Sequence, residues 1–202
     1  MSLAALIRRN WLDTEMRTEI NWGKVEQYAQ EMRDGAGFPP PVVFIDPADE
    51  LVRVGDGFHR ILACKRNGQK AVLVDLRRGS RRDAFLHGIE VNRLQKGLPF
   101  SFGDLEKCIL TLLKDEETSK WTQTKIADTI GCSYSYTSQT VKKFRDVIER
   151  PDTVVDRNGV VKRRWTKQEP DEEPDNRQAP ATIPCPHCDG TGRIPAWEGA
   201  CA

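Results

Sequence analysis

The chain has 202 residues, a hydrophobic fraction of 38%, a charged fraction of 30% and a formal net charge of +1. This length provides for one ordinary domain and a smaller module, and it excludes two large hydrophobic cores. No apolar run approaches the roughly 18 residues of a membrane span, and the N-terminal segment lacks the long apolar core and cleavage site of a signal peptide. We therefore expect a cytoplasmic protein that does not contact a membrane.

The small net charge conceals an uneven distribution along the chain. Residues 1–119 carry equal numbers of basic and acidic side chains, residues 120–167 carry 11 basic and 5 acidic ones, and residues 168–202 carry 2 and 7. A polyanion such as DNA is therefore predicted to contact the basic middle part of the chain.

Short strands and helices alternate through the first part of the chain. Helical spacing predicts a helix over 24–33, and apolar runs predict strands at 42–45 and 51–54, with the second strand pairing back on the first. A third strand is predicted at 71–76, buried on both faces because it is nearly all apolar. A helix over 81–92 completes a compact α+β domain, which we assign to residues 1–98.

The stretch from Gly55 to Ile61, GDGFHRI, joins the second strand to a helix that ends at Asn67-Gly68. Two glycines that open into a helix can direct backbone N–H groups at an anion, and the helix dipole favours negative charge there. His59 and Arg60 add donors suited to phosphate, and Asp56 has the oxygens to hold a ribose hydroxyl or magnesium. The alternative is an ordinary strand-to-helix turn.

A second polar group lies at the end of the helix over 81–92. Glu90 and Asn92 have oxygens suited to magnesium, and Arg93 can clamp a phosphate. The alternative is a polar helix end, in which Asn92 stops the helix and Arg93 favours its dipole.

The order of these two motifs resembles the N-terminal domain of ParB-type partition proteins, within the wider ParB and sulfiredoxin-like fold. In that family a G-E-R-R-[WYF]-R-A motif binds triphosphate, and an E-N-x-x-R motif binds phosphate and the divalent ion. The resemblance covers about residues 10–150 and implies CTP or another nucleotide with magnesium, double-stranded DNA as partner, a homodimer and a nucleoid-associated location. The nucleotide-binding residues that it implies are Arg17, Gly55, Asp56, Gly57, Phe58, His59, Arg60, Glu90, Asn92 and Arg93.

The sequence departs from the ParB pattern in ways that keep an enzyme in consideration. Glycine and histidine replace arginines of the first motif, and one residue is inserted between Glu90 and Asn92. The D-G-x-H-R form is also similar to a branch of this fold that phosphorylates free serine, and to sulfiredoxins, whose reaction needs a cysteine where Phe58 stands. In a kinase or CTPase the candidate catalytic residues are Asp56, His59 and Glu90, with Asp56 or His59 as base. A third alternative is a nucleic-acid-binding adaptor without a ligand.

Residues 99–150 are predicted to form an all-α helix-turn-helix domain. Thr122 caps a first helix with Ile126, Ala127 and Ile130 inside, Gly131 makes the turn, and Ser133 caps a second helix that runs to about Ile148 and is buried through Val141 and Phe144. The second helix is the one expected in the DNA major groove; a plain helical pair for protein contacts is the alternative. The predicted DNA-binding residues are Lys125, Ser133, Tyr134, Ser135, Tyr136, Ser138, Gln139, Lys142 and Lys143.

The rest of the chain is predicted to be mostly disordered. Residues 151–167 form a basic hairpin or extension, whose cluster at 162–165 is either a second DNA-backbone contact or a solvated charge run. Residues 168–183 form a disordered linker. Residues 184–202 resemble a C-x-x-C-x-G-x-G zinc unit, with Cys185, Cys188 and Cys201 as ligands in one chain or two chains sharing an ion. The other cysteines, 64, 108 and 132, are read as core residues.

Overall fold

The computed structural model describes residues 1–7, 13–94, 99–148 and 150–164. These residues belong to a compact unit that spans Met1–Arg164. The α+β class is confirmed, because helices pack on a sheet. Among the described residues no helix is long and apolar enough to cross a membrane. The predicted linker and zinc unit, and the end of the basic extension from residue 165, lie outside this part of the chain.

The elements follow one another in the predicted alternation. In chain order they are α1 (Leu3–Leu6), α2 (Trp22–Arg33), β1 (Val42–Ile45), β2 (Val52–Asp56), α3 (Phe58–Arg66), β3 (Asp75–Arg78), α4 (Arg81–Leu94), α5 (Phe102–Lys114), a 3₁₀ turn (Thr118–Lys120), α6 (Gln123–Ile130), α7 (Tyr134–Lys143), β4 (Thr153–Val155) and β5 (Val161–Arg163).

The first sheet has the order β2-β1-β3. β1 pairs antiparallel with β2, as the hairpin prediction required, and parallel with β3 in the register that sets Val42 opposite Asp75. A parallel neighbour needs a crossover connection, and α3 supplies it between β2 and β3. The sheet therefore brings the end of β2 and the start of α3 beside the proline-rich approach to β1.

The predicted buried strand at 71–76 is wrong. The strand starts only at Asp75, and Leu73 and Leu76 are 80% and 52% exposed. Extended backwards, the β1–β3 register sets residues 72–74 opposite the prolines at 39–41. Proline has no N–H to donate to a sheet, so the apolar run lies before the sheet rather than inside it.

One hydrophobic core extends from the first helix to α6. Helix α5 is central to it, because Cys108, Ile109, Leu112 and Leu113 are fully buried and pack with residues of β1, β2, α3 and α4. Cys64 is also buried, and the expectation that Cys64 and Cys108 are core residues is confirmed. Burial raises the pKa of the Cys108 thiol to about 12, which keeps it protonated and unreactive.

Helix α4 approaches β2 so closely that only glycines fit between them. A Cβ on Gly88 would lie 2.6 Å from the Gly55 carbonyl oxygen and 2.6 Å from the sulfur of Met16. A Cβ on Gly55 would lie 2.7 Å from the Phe44 ring of β1 and 3.3 Å from the Ala84 carbonyl oxygen of α4. These two glycines therefore fix the position of α4 on the sheet.

Helices α6 and α7 follow the predicted boundaries at their starts. The side chains of Thr122 and Ser133 cap them, and Gly131 makes the turn with a φ of 82°. The predicted end of α7 near Ile148 is wrong, since the helix ends at Lys143. No glycine or proline marks that end, so the sequence lacked a stop signal.

The buried face of α7 also differs from the prediction. Thr137 and Thr140 are the buried residues of this helix, whereas Val141 and Phe144 are only half-buried. The Thr137 hydroxyl bonds the Ser133 carbonyl oxygen at 3.3 Å and lies 3.2 Å from the Cys132 sulfur. A threonine whose hydroxyl bonds within its own helix can be buried at little cost, and apolar periodicity does not reveal such a residue.

The predicted hairpin after α7 is present in its described part, as β4 and β5. The strands are antiparallel, and Gly159 turns between them with a φ of 79°. Asp156 holds the turn by accepting the N–H groups of Asn158 and Val160, both at 2.9 Å. Strand β4 contributes the buried Val154.

Candidate nucleotide pocket and nucleic-acid surface

A cavity of about 200 Å³ lies where α2, the N-terminus of α3 and the C-terminal part of α4 meet. Seven of the ten residues predicted to bind a nucleotide line this cavity. The predicted lining residues are Arg17, Asp56, Gly57, Phe58, His59, Arg60 and Asn92. Two stretches distant in sequence are thus brought to one place, as the order of motifs suggested.

The N-terminus of α3 opens into this cavity without a side-chain cap. Gly57 at the N-cap has a φ of 97° and provides no side-chain hydrogen bond. In contrast, the side chains of Asn21, Ser101, Thr122 and Ser133 cap α2, α5, α6 and α7. First-turn N–H groups need an acceptor from outside their helix, and an anion is a suitable one.

Arg60 is held at the cavity by an acid and a backbone carbonyl. Its Nη2 lies 2.5 Å from Asp56 Oδ2, and its Nη1 donates to the Pro39 carbonyl oxygen. A Cβ on Gly57 would lie 3.0 Å from the Arg60 Nη2, so the glycine also gives the guanidinium its place. The Asp56 carboxylate is thereby engaged by an arginine four residues later on the same turn.

Arg17 lies on the other side of the cavity and is largely buried. It donates to Asn92 Oδ1 at 3.3 Å and forms an ion pair with Asp104 at 3.6 Å. Burial alone would raise the pKa of Asp104, but hydrogen bonds from Thr18 and Ser101 outweigh it and lower the pKa. Asp104 therefore stays ionised behind Arg17, and Asn92 orients the guanidinium from α4.

His59 is positioned by α2 and is held neutral. Its Nε2 accepts the backbone N–H of Asn21 at 3.2 Å. Burial, followed by the charges of Arg17 and Lys24, lowers the pKa of His59. A neutral imidazole with an occupied Nε2 has its proton on Nδ1, so His59 offers the cavity a donor rather than a base.

Glu15 is a cavity residue that the sequence analysis missed. It is 5% exposed, its Oε1 accepts the Arg17 backbone N–H at 2.9 Å, and its Oε2 is buried with no hydrogen-bond partner among the described residues. Burial raises the pKa of this carboxyl group. Its position two residues before Arg17 was the available signal, but nothing in the sequence indicated that it would be buried.

An aromatic wall on the cavity was also missed. Tyr28 and Phe38 line it, with ring centroids 5.0 Å apart in an edge-on arrangement, and the Lys24 ammonium lies 4.8 Å from the Tyr28 ring. Tyr28 appeared in the sequence as an apolar position of a helix, and Phe38 lay in a predicted loop. Only the packing of α2 against the segment before β1 brings them together.

Three predicted residues are not brought to the cavity. Gly55 is buried under Phe44, and its lack of a side chain allows the close approach of α4. Glu90 is exposed, and the Arg93 side chain lies beside the Gly131 turn. Residues 90 and 92 differ by roughly 200° around a helix, so the face of α4 that presents Asn92 to the cavity turns Glu90 away from it.

The predicted DNA-binding residues divide into an exposed face of α7 and a group with internal contacts. Ser133, Tyr134, Ser135, Gln139, Lys142 and Lys143 are exposed, and Ser138 is half-buried. Residues 135, 138, 139 and 142 recur at helical spacing and lie opposite the buried Thr137 and Thr140. α7 therefore presents a polar face with a basic end.

Besides Ser133, whose side chain caps α7, three of the predicted DNA-binding residues have side-chain contacts within the protein. The Tyr136 hydroxyl donates to the Phe102 carbonyl oxygen at 2.7 Å. The Lys143 ammonium lies 2.8 Å from Glu106, and the Lys125 ammonium lies 4.4 Å from the Trp121 ring. Tyr136 thus braces α7 on α5 and is turned away from the exposed face.

The two metal predictions, zinc and magnesium, remain predictions. Cys185, Cys188 and Cys201 lie outside the described residues. Within the described ranges there is no group of three or more histidine, cysteine or acidic side chains that could hold a metal ion. The acidic residues that line the cavity are Glu15 and Asp56.

Comparison with known proteins gives several similar structures, two of which are described here. No protein-family model and no curated protein matches the chain. The C-terminally truncated chromosome-partitioning protein ParB from Caulobacter crescentus, complexed to the centromeric parS site, is 23% identical over 62% of each chain, with a TM-score of 0.40. The same protein complexed with CTP-gamma-S is 24% identical over 66% of this chain and 71% of that one, with a TM-score of 0.36.

Proposed function

We propose that this chain is a ParB-like DNA-binding protein whose N-terminal pocket binds a nucleotide. The observation that carries the proposal is the uncapped N-terminus of α3, which opens into a cavity beside Arg17, Lys24 and Arg60. Backbone N–H groups at a helix N-terminus and fixed cations around one concave space are what a phosphate group requires.

The aromatic wall favours a nucleotide over a bare phosphate. A nucleobase can stack on Tyr28 or Phe38, since every base has a π-face. The cavity is smaller than the roughly 300–1,000 Å³ of typical small-molecule sites, which suits the phosphates inside it and the base at its aromatic edge. CTP is the first candidate because of the motif resemblance to ParB-type proteins.

Magnesium fits this pocket in one way. Proteins commonly hold Mg²⁺ through one or two carboxylates plus the phosphates of the substrate. Glu15 Oε2, which has no hydrogen-bond partner in the described part of the chain, and the carboxylate of Asp56 would hold it, and the ion would neutralise phosphate charge.

The exposed face of α7 supports the DNA-binding part of the proposal. Helices α6 and α7 are joined by Gly131 and capped at Thr122 and Ser133, and we interpret this pair as a helix-turn-helix. Gln139 and Ser135 suit base edges, and Lys142 suits a phosphate. The nucleotide would act as a switch because it binds two arrangements of the protein with different affinities. We expect the protein to be a homodimer.

Nucleotide binding by the full chain tests the proposal. CTP, ATP, GTP and ADP are titrated with and without magnesium and duplex DNA, using calorimetry. Arg60→Ala removes a pocket cation and should weaken nucleotide binding by at least about tenfold, because a charge-assisted phosphate contact is lost. Lys65→Ala is the matched control, since Lys65 is an exposed cation at the other end of α3.

Two results contradict the proposal. Binding of no nucleotide by the folded protein would remove the pocket assignment. Equal weakening of nucleotide and DNA binding by Arg60→Ala, with an altered melting temperature, would indicate general damage instead of a local contact.

A nucleotide-dependent phosphotransferase is the second candidate, and Glu15 favours it. A buried carboxylate with a raised pKa and a free oxygen in a phosphate pocket has the properties of a general base. Glu15 suits this role better than the predicted residues, because Asp56 is paired with Arg60, His59 Nε2 is occupied and Glu90 lies elsewhere. Product analysis distinguishes the candidates, since a kinase must yield a phosphorylated acceptor and a nucleoside diphosphate.

A further inference from the structure

The hairpin of β4 and β5 is seated on the start of α6. The backbone N–H of Thr122, the N-cap residue of α6, donates to the Val155 carbonyl oxygen at 2.9 Å, and Trp121 forms a parallel bridge with Val155. From the segment before the hairpin, Arg150 Nη2 donates to the Trp121 carbonyl oxygen at 2.6 Å. Together with the buried Val154, these contacts fix the hairpin on the helix.

The two faces of the hairpin have different contacts. In the register, Val154 lies opposite Lys162, and Thr153 lies opposite Arg163. Paired residues of antiparallel strands share a face, so Arg163 lies on the face away from the buried Val154. Arg163 is exposed and has no side-chain partner among the described residues.

The charge of this segment is mostly positive and available to solvent. Residues 150–164 include five basic and two acidic residues. One of the acids, Asp156, is engaged by Lys162 at 2.7 Å and by the turn, and these contacts lower its pKa. Arg157, at the turn, has a side chain that is 68% exposed and lies 3.8 Å from Asp128 of α6.

The position of the hairpin at the N-terminus of α6 indicates which part of a DNA duplex its positive charge would contact. In a helix-turn-helix the first helix crosses the DNA backbone while the second enters the major groove. A rigid hairpin anchored at the N-terminus of the first helix is therefore carried toward the sugar-phosphate chain. Lys125 lies in the first turn of the same helix.

We propose that the β4–β5 hairpin is a second DNA-contacting element, in which Arg163 and Arg157 bind backbone phosphates beside the groove occupied by α7. This inference rests on the proposed DNA-binding function. Phosphate contacts give position and affinity without reading sequence. The hairpin therefore increases the affinity for DNA, and α7 determines the sequence preference.

The test measures duplex binding by the full chain, using fluorescence anisotropy over a range of salt concentrations. Arg163→Ala should lower the affinity about fivefold at low salt, and Arg157→Ala with Arg163→Ala should reduce the salt slope by roughly one per lost contact. The loss should be the same on random duplex and on a selected site. Arg163→Lys should retain the slope, and Arg78→Ala, which removes an exposed arginine of the other sheet, should change nothing.

The outcomes separate this inference from the proposed function. If the wild-type protein binds duplex steeply with salt and the hairpin variants match it in affinity and slope, the hairpin is only a brace for α6 and the inference is overturned. If the wild-type protein binds no duplex, the DNA-binding function fails and the inference fails with it. Thermal melting of each variant identifies a loss that is due to unfolding.

Discussion

The pocket and the exposed face of α7 present their polar groups in opposite ways. In the pocket, Arg60 is paired with Asp56, and Arg17 is engaged by Asn92 and Asp104. On α7, Gln139 and Lys142 are exposed and have no side-chain partners among the described residues. The pocket is internally neutralised, whereas the helix face is open.

This difference predicts different responses to ligand. A nucleotide must compete with existing ion pairs or add to them, so its binding depends on pH, on magnesium and on which internal partner yields. The helix face needs no such exchange, and its binding should depend mainly on salt. A protein built this way can regulate one site while the other remains ready.

Displacing α4 from the sheet should cause the greatest loss of stability, because α4 contributes to both the core and the pocket. Gly88→Ala places a Cβ against the Gly55 carbonyl oxygen and should destabilise the protein by at least about 2 kcal/mol, because a packed backbone must move. Urea unfolding measures this loss. Gly37→Ala is the control, since nothing lies within 4 Å of that Cβ position. Unchanged stability of Gly88→Ala would show that α4 does not pack on β2 as described.

Removing a side chain from the exposed face of α7 should affect DNA binding and leave nucleotide binding unchanged. Gln139→Ala should cost about 1–3 kcal/mol of discrimination at one base pair, because a base-edge contact is lost. Selection of preferred sites from random duplex measures it, with calorimetry for the nucleotide. Gln30→Ala on α2 is the matched control. A parallel loss of nucleotide affinity would contradict the separation of the two regions.

Removing the acidic partner of Arg60 should change nucleotide affinity and show how far the internal ion pair opposes binding. Asp56→Asn removes the charge that neutralises Arg60, so nucleotide affinity without magnesium should rise about fivefold. Calorimetry in the presence of a chelator measures this, and Asp75→Asn, which disturbs an exposed ion pair, is the control. A fall in affinity would show that Asp56 itself contacts the nucleotide.

Glu15 should make the free energy of unfolding depend on pH. Its pKa is raised above 4.5, so between that value and the folded pKa the folded protein keeps a proton that the unfolded chain has released. The free energy of unfolding therefore falls as pH rises through this window. Glu15→Gln should stabilise the protein at pH 7.5 by about 1 kcal/mol and change little at pH 4. Thermal melting at the two pH values measures the effect, and equal shifts at both would contradict it.

Local signals in the sequence predicted most elements and caps. Strand β1, its hairpin with β2, the caps Thr122 and Ser133 and the turn at Gly131 follow from apolar runs and turn residues. The region 71–76 failed because the prolines that disable its pairing belong to a neighbour more than 30 residues away in the chain. Glu15, Tyr28 and Phe38 were missed for a similar reason, since their shared cavity exists only after packing.

The central position of α5 has a consequence for how the protein can be handled. Its apolar side chains fill a core that also holds Met16, Phe85 and Ile89 from the first part of the chain and Ile126 and Ile130 from α6. A fragment ending near residue 98 would expose to solvent the apolar surface that α5 covers. Expression of either part of the chain by itself should therefore yield aggregated material. Cooperative melting in one transition is expected for residues 1–164, and functional dissection is best done by single substitutions in the intact chain.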